Sequence, residues 1–274
     1  MTKSMTPKHL LKSLVAFALL GLLSAPVLAS EDGVALQSAG TDLTDKGSLQ
    51  RGAKDFLSYC AGCHSLKHLR YSRLGDDLGL SEQEVMDQLN VTGVKNIGEP
   101  IIASMTPEMA KAAFNKEPPD LSLIARVRGS DWIYTYLKTF YLDPTRPVGW
   151  NNTTFPGASM PNPLWSLQGT QLPEYTAKVA TGEKDEKGQA IMACPHGTTD
   201  TDQGCIKGLM VHQAGTLKPQ QFDQVARDIT TFLEYAGEPA GLKRPSIGVW
   251  VLAFLALFTF LAWLLNREYW KDVH

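Results

Sequence analysis

Cys60-Ala61-Gly62-Cys63-His64 is the stretch of this 274-residue chain whose residue types and spacing most clearly define a chemistry. Two thiols three positions apart can reach the two vinyl groups on one edge of a porphyrin, and the imidazole that follows can stand beneath the iron. The cysteines would make such an attachment covalent, and His64 would supply a metal ligand. Three other chemistries use a C-x-x-C pair: a thioredoxin-like redox couple, half of a zinc site and a plain disulfide. The first belongs near a βαβ pattern, the second needs another pair at similar spacing, and the third gives no reason for the adjacent histidine. The chain offers none of that support, so the residues favour one covalently bound haem c.

A single histidine leaves one axial position, and its occupant separates electron carriers from ligand-binding haems. A methionine thioether fills the position and raises the reduction potential. Met86, Met105, Met109, Met160, Met192 and Met210 all lie downstream, and most methionines are simply core filler. Met160 stands out because it sits in Phe155-Pro156-Gly157-Ala158-Ser159-Met160-Pro161-Asn162-Pro163, a loop stiffened on both sides. Met105 is the second choice.

The elements that must position these groups are mainly helical. Gly52, Ala53, Phe56 and Tyr59 recur at spacings of three and four, predicting a short helix over 49–59 that ends at the cysteine motif. Its natural partner is the amphipathic helix predicted over 219–237, with Phe222, Val225, Ala226, Ile229, Phe232, Leu233 and Ala236 on one side and Gly237 and Pro239 as stops. Ser81 with Glu84 reads as a capping box opening a surface helix over 80–89. Thr106-Pro107-Glu108 starts another that runs to Phe114. Asp120 could cap the following element. Ile133, Tyr134, Leu137, Phe140 and Tyr141 predict a core helix reaching about Leu142. Six prolines between Asp143 and Pro173 make a long loop, a feature uncommon in a compact domain unless it does something.

Lys3, Lys8 and Lys12 lead into the apolar run Leu14 to Leu23, with Val27 and Ala29 as a plausible cleavage site, so residues 1–29 read as an export signal. Residues 30–48 are polar and acidic, as in a surface segment. An even count of four cysteines fits an oxidising compartment. There, Cys194 and Cys205 are most simply a disulfide closing a small loop; His196 raises a metal instead, but no fourth ligand stands at a recognisable spacing. Ile247 to Leu265 is 19 residues without a charge, about the thickness of a bilayer core as a helix. Trp250 at one end and Trp263, Tyr269 and Trp270 at the other suit interfacial belts. Basic residues flank both ends, so the export signal decides the orientation: body outside, tail in the cytoplasm. The organisation read from the chain is therefore leader 1–29, extracytoplasmic haem domain 30–242, transmembrane anchor 243–266 and tail 267–274.

The whole chain carries 26 basic and 28 acidic residues. Without the three leader lysines, 23 basic residues face the same 28 acidic ones, a net charge of about −5. Nucleic acid is excluded as a partner, since its binding needs a basic face; a basic protein partner is permitted.

Beyond these readings, the chain resembles the cytochrome c1 family, the haem subunits of bacterial ubiquinol:cytochrome c reductase. The resemblance is carried by the haem motif followed by Tyr71-Ser72-Arg73-Leu74, by Pro118-Pro119-Asp120-Leu121-Ser122 leading to Arg126-Val127-Arg128, by Phe155-Pro156-Gly157 before Met160, and by the single C-terminal span. It implies a mainly α, class I cytochrome c-like haem domain with long loops and one C-terminal transmembrane helix. It implies Met160 as distal ligand opposite His64, Arg126 paired with a haem propionate, Pro118 and Pro119 lining the haem pocket, and Tyr134 near the propionates. It also implies an electron-transfer subunit that is no enzyme on its own, single-pass in the bacterial inner membrane with its haem domain periplasmic. Cytochrome b and a Rieske iron-sulfur protein would be its partners and a c-type cytochrome its acceptor. An anchored cytochrome of a terminal oxidase, an independent shuttle, and a haem enzyme or sensor with an open sixth position are the alternatives.

Overall fold

The computed structural model describes residues 35–273, so the predicted leader lies outside the described residues. Two helices form the framework. α1 (Lys46–Tyr59) is capped by the Asp45 carboxylate, which accepts from the Ser48 N–H at 3.1 Å. It buries Leu49, Gly52, Ala53, Phe56 and Leu57 against a long C-terminal helix that spans Pro219–Gly237. The partnership expected from the two apolar stripes is therefore present, with the rings of Phe56 and Phe232 5.6 Å apart. Gly52 permits it, because a Cβ there would collide with the Asp228 carbonyl oxygen. The buried Asp228 carboxylate then accepts from Ser48 Oγ at 2.6 Å, Arg51 Nε at 2.7 Å and Gln224 Nε2 at 2.8 Å, so a charge facing the core is fully partnered. Tyr59, expected on the same face, points to solvent: it lies in the last turn, beyond the contact.

After the cysteine motif, β1 (Leu66–Arg70) pairs antiparallel with β2 (Pro100–Ile101). Between them lie α2 (Tyr71–Leu78) and α3 (Glu82–Gln88), the latter opened by the expected reciprocal capping of Ser81 and Glu84. Asp77 of α2 accepts from Arg73 at 2.5 Å and from the Tyr235 hydroxyl at 3.0 Å, tying α2 to the long helix. α4 (Pro107–Phe114) starts at Pro107 under the Thr106 cap and stops at Asn115, whose φ of 54° is left-handed. The segment before α1 does more than cover the surface: Ala39 is buried, and its N–H donates to Asp131 at 2.7 Å.

α5 (Ile124–Arg128) and α6 (Ser130–Lys138) pack on the long helix, but α6 ends four residues short of the predicted Leu142. Phe140–Leu142 is instead β3, antiparallel to β4 (Trp150–Asn152). The helix stops because side chains from far along the chain take its last carbonyls. Asn152 Nδ2 donates to Tyr136 O at 2.8 Å and Gln168 Nε2 to Lys138 O at 2.7 Å. Asp120 caps no helix; Leu123 precedes α5 without a side-chain cap, and the Asp120 carboxylate is used elsewhere, as described below.

A short helix, α7 (Trp165–Gln168), leads into an arm of strands that periodicity did not foretell. β5 (Gly169–Thr176) pairs along its length with β9 (Gly204–Ala214), which pairs on its other edge with β8 (Thr199–Thr201). β6 (Val179–Lys184) and β7 (Ala190–Ala193) form a hairpin beyond. Helices still predominate, as expected, but the fold carries a β arm of 46 residues' span between 169 and 214. Cys194 and Cys205 are joined as predicted, with Cα atoms 5.4 Å apart. The arm is bonded to the proline-rich loop through Gln203 Nε2 to Asp143 (3.0 Å) and Thr199 Oγ1 to Thr153 O (3.3 Å). Serine at both cysteines should lower the free energy of unfolding this arm by about 3 kcal/mol. Proteolysis there, compared with and without reductant, checks it; equal cleavage rates would show that the bond staples nothing.

α8 is the long Pro219–Gly237 helix, stopped where predicted. α9 (Arg244–Tyr269) is 26 residues with mean hydropathy 2.4 in its central window, and it is the one helix among the described residues long and apolar enough to cross a membrane.

Candidate haem site

The five motif residues continue the last turn of α1. The Cys60 and Ala61 N–H groups donate to Phe56 O at 2.8 and 3.1 Å, and those of Cys63 and His64 donate to Cys60 O at 3.0 and 2.9 Å. That folded-back turn places both thiols and the imidazole on one short, hydrogen-bonded piece of backbone. Next to it runs Pro118-Pro119-Asp120-Leu121-Ser122, stitched to the residues that follow His64. Leu121 N donates to Ser65 O (2.9 Å), Lys67 N to Asp120 Oδ2 (2.9 Å) and His68 N to Ser122 Oγ (3.1 Å). Partial burial works against the Asp120 carboxylate, but hydrogen bonds from Ser122 and Lys67 hold its pKa below the ordinary value, so it remains an acceptor.

His64 is buried, and its Nδ1 lies 2.8 Å from the Pro119 carbonyl oxygen. A carbonyl can only accept, so Nδ1 carries the proton and Nε2 keeps its lone pair. Burial lowers the His64 pKa, opposed by the Pro119 bond and by Asp120, and the ring is neutral at pH 7. A neutral imidazole oriented through one nitrogen is the form that ligates a metal with the other. Between these strands of chain lies a cavity of about 270 Å³, lined by Cys63, Ser65, Ala103, Met105, Pro118 and Pro119 among others.

The donor set fits a c-type haem and fits the rival chemistries poorly. Cys60 and Cys63 are both free thiols while the other two cysteines are bonded, which argues against the plain disulfide. Burial, with smaller contributions from Asp55 and Cys63, pushes the Cys60 thiol up to about 12, and burial raises Cys63 as well. A redox C-x-x-C pair needs the opposite shift. Zinc would need further ligands, and the one group of metal-capable side chains among the described residues is Cys194, Asp200 and Cys205, whose cysteines are already joined.

The remaining site residues are dispersed. Met160 is half-buried and its sulfur accepts from the Tyr136 hydroxyl at 3.5 Å. Its loop is held by more than prolines. On one side Asn151 Oδ1 accepts from Gly157 N (2.9 Å) and Asn152 Oδ1 from Thr154 N (2.8 Å). On the other, Asn162 Oδ1 accepts from Leu164 N (2.9 Å). All three asparagines are buried. Sequence reasoning missed them, although Asn flanking a proline-rich loop is a legible turn signal. Met105 lines the cavity, and its N–H donates to Gly62 O at 3.0 Å, inside the cysteine motif itself. Arg126 is largely exposed and pairs with Glu238 at 3.1 Å. Tyr134 is buried, its hydroxyl accepting from Lys138 at 3.1 Å and its ring facing Lys138 and Arg227.

A model of the cytochrome C1 family matches residues 38–185 and 205–273. The chain is 45% identical to cytochrome c1 of Allochromatium vinosum, over 96% of this chain and all of that one. It is 38% identical to the ammonia monooxygenase gamma subunit of Nitrosomonas europaea, over 95% and 99% of the two chains. Cytochrome c1 of Rhodospirillum rubrum is 28% identical, over 96% and 97%. The stretch that the family model skips, 186–204, contains Cys194 and ends one residue before Cys205, so the disulfide staples the part of the arm that departs from the family pattern.

Proposed function

The chain belongs to the cytochrome c1 family, whose members carry one covalent haem c and serve as membrane-anchored electron-transfer subunits of a reductase complex, and we propose that it relays single electrons from a Rieske iron-sulfur protein to a c-type cytochrome within a ubiquinol:cytochrome c reductase. Haem c supplies the one-electron chemistry when bound. The protein's part is to attach, orient and shield it.

Cys60 and Cys63 hold the ring through thioethers. His64 ligates through Nε2, with Pro119 fixing the ring plane through Nδ1. Met160 is the second axial ligand, supported by the Phe155 to Pro163 loop being pinned on both sides of the sulfur. Met105 suits that role less well: its backbone is bonded to the same turn that carries His64, whereas the opposite ligand must come from a separate element. Pro118 and Pro119 form an apolar wall without N–H donors. Arg126 is offered to a propionate, shared with Glu238, and Tyr134 lies farther out in the same role. The haem domain is of the class I kind and spans 30–242, on the periplasmic side of the inner membrane. The span 243–266 anchors it and 267–274 forms the tail. The net acidity of the mature chain favours a basic acceptor through electrostatic steering.

The observation that carries this reading is the neutral, Pro119-oriented His64 beside two free thiols. Solubilising native membranes and isolating this chain should bring down a b-type cytochrome and a Rieske protein with quinol:cytochrome c reductase activity. Isolation without them would favour an anchored cytochrome serving another complex, the reading suggested by the similarity to a monooxygenase subunit.

A further inference from the structure

Tyr136 belongs neither to the cysteine motif nor to the proline-rich loop, yet its hydroxyl donates to the Met160 sulfur at 3.5 Å. The phenol is held in one orientation. Its ring stacks on Trp132 at 5.0 Å with 9° between planes and meets Phe140 edge-on at 4.9 Å. The Arg128 guanidinium covers Trp132 at 5.1 Å, and Phe155 from the Met160 loop packs against the same indole at 6.3 Å. Asn152, which shapes that loop, also takes the Tyr136 carbonyl at 2.8 Å. Residues 128, 132, 136 and 140 thus make a ladder whose inner hydroxyl reaches the thioether.

We propose that Tyr136 is a positioning residue for Met160, orienting the sulfur and moderating its electron donation so that the reduction potential sits higher than an unassisted methionine would set it. The inference rests on Met160 being the axial ligand. A thioether sulfur has two lone pairs, and the O–H bond engages one, which leaves the other with a defined direction. A sulfur already sharing density with a donor gives less to a metal. The electron-poor oxidised state loses more by that than the reduced state, so reduction is favoured. In a shielded, low-dielectric setting such an outer hydrogen bond is felt strongly.

The test uses the haem-loaded, membrane-anchored protein and two substitutions. Tyr136→Phe keeps the ring stack and removes the hydroxyl; Tyr136→Leu removes both. In the phenylalanine variant the ratio of reduced to oxidised protein at a fixed ambient potential should fall two- to tenfold, tenfold being ~59 mV for one electron. The weak red absorption of an oxidised sulfur–iron bond should persist in that variant. Absence of this band from the unaltered protein would overturn the Met160 reading itself. Its presence in both, with an unchanged ratio in Tyr136→Phe, would overturn the Tyr136 inference alone. A shift only in Tyr136→Leu would reduce the residue to packing and likewise overturn it.

Discussion

Alanine at both Cys60 and Cys63 should abolish covalently retained pigment: the denatured double variant runs without haem stain, while the unaltered mature chain keeps it. The reason is local. Both thiols sit on one turn closed by hydrogen bonds to Phe56 O and Cys60 O, so they are presented together whether or not a ring is attached. Burial keeps both protonated at neutral pH, and an S–H that adds across a vinyl double bond gives its sulfur to one carbon and its hydrogen to the other. Each single variant retains one thioether and should keep part of the stain. Folding is the smaller effect, because losing the buried sulfur of Cys60 removes burial worth about 1 kcal/mol. The His64 bond to Pro119 uses no cysteine atom and is unaffected. Full stain in the double variant would mean that the motif does not hold the pigment and would remove the basis of the functional reading.

What the sequence made legible was what local spacing specifies. The α1 and α8 faces follow from Gly52, Ala53, Phe56, Phe232 and their neighbours, because helical period and burial agree there. Ser81 with Glu84, and Thr106 before Pro107, were readable because a cap is satisfied within four residues. The β arm was not readable. β6 is exposed along its whole length and β9 along most of its second half, so neither shows the alternation a half-buried strand displays, and their pairings join residues such as Thr170 and Gln213. The early end of α6 had the same origin: the groups that stop it, Asn152 and Gln168, lie 16 and 30 residues away. The site divides similarly. Cys60, Cys63 and His64 announce themselves by adjacency. The Pro119 carbonyl that selects the histidine tautomer stands 55 residues from it, and the Tyr136 hydroxyl 24 residues from its sulfur. Side-chain types suggested neither contact; only the folded chain brings them together.

Met160→Leu should lower the reduction potential by on the order of 0.1 V or more, a sizeable part of the ~0.8 V that axial ligation spans. Leucine nearly conserves methionine's volume, so the loop pinned by Asn151, Asn152 and Asn162 keeps its course and the change isolates the sulfur. The thioether is the softer donor and favours the reduced state; removing it leaves the oxidised state relatively better stabilised. Tyr136 also loses its acceptor, and a half-buried hydroxyl left unpaired costs about 1 kcal/mol or more of stability. With the sixth position no longer held by sulfur, the reduced variant should bind carbon monoxide rapidly, whereas the unaltered protein should not. Met105→Leu provides the contrast. Its N–H bond to Gly62 O is a backbone contact that the substitution leaves intact, so both potential and carbon monoxide binding should stay as they were. If Met105→Leu instead produced the fall and Met160→Leu did not, the axial ligand would be the methionine lining the cavity, and the proline-rich loop would need another purpose.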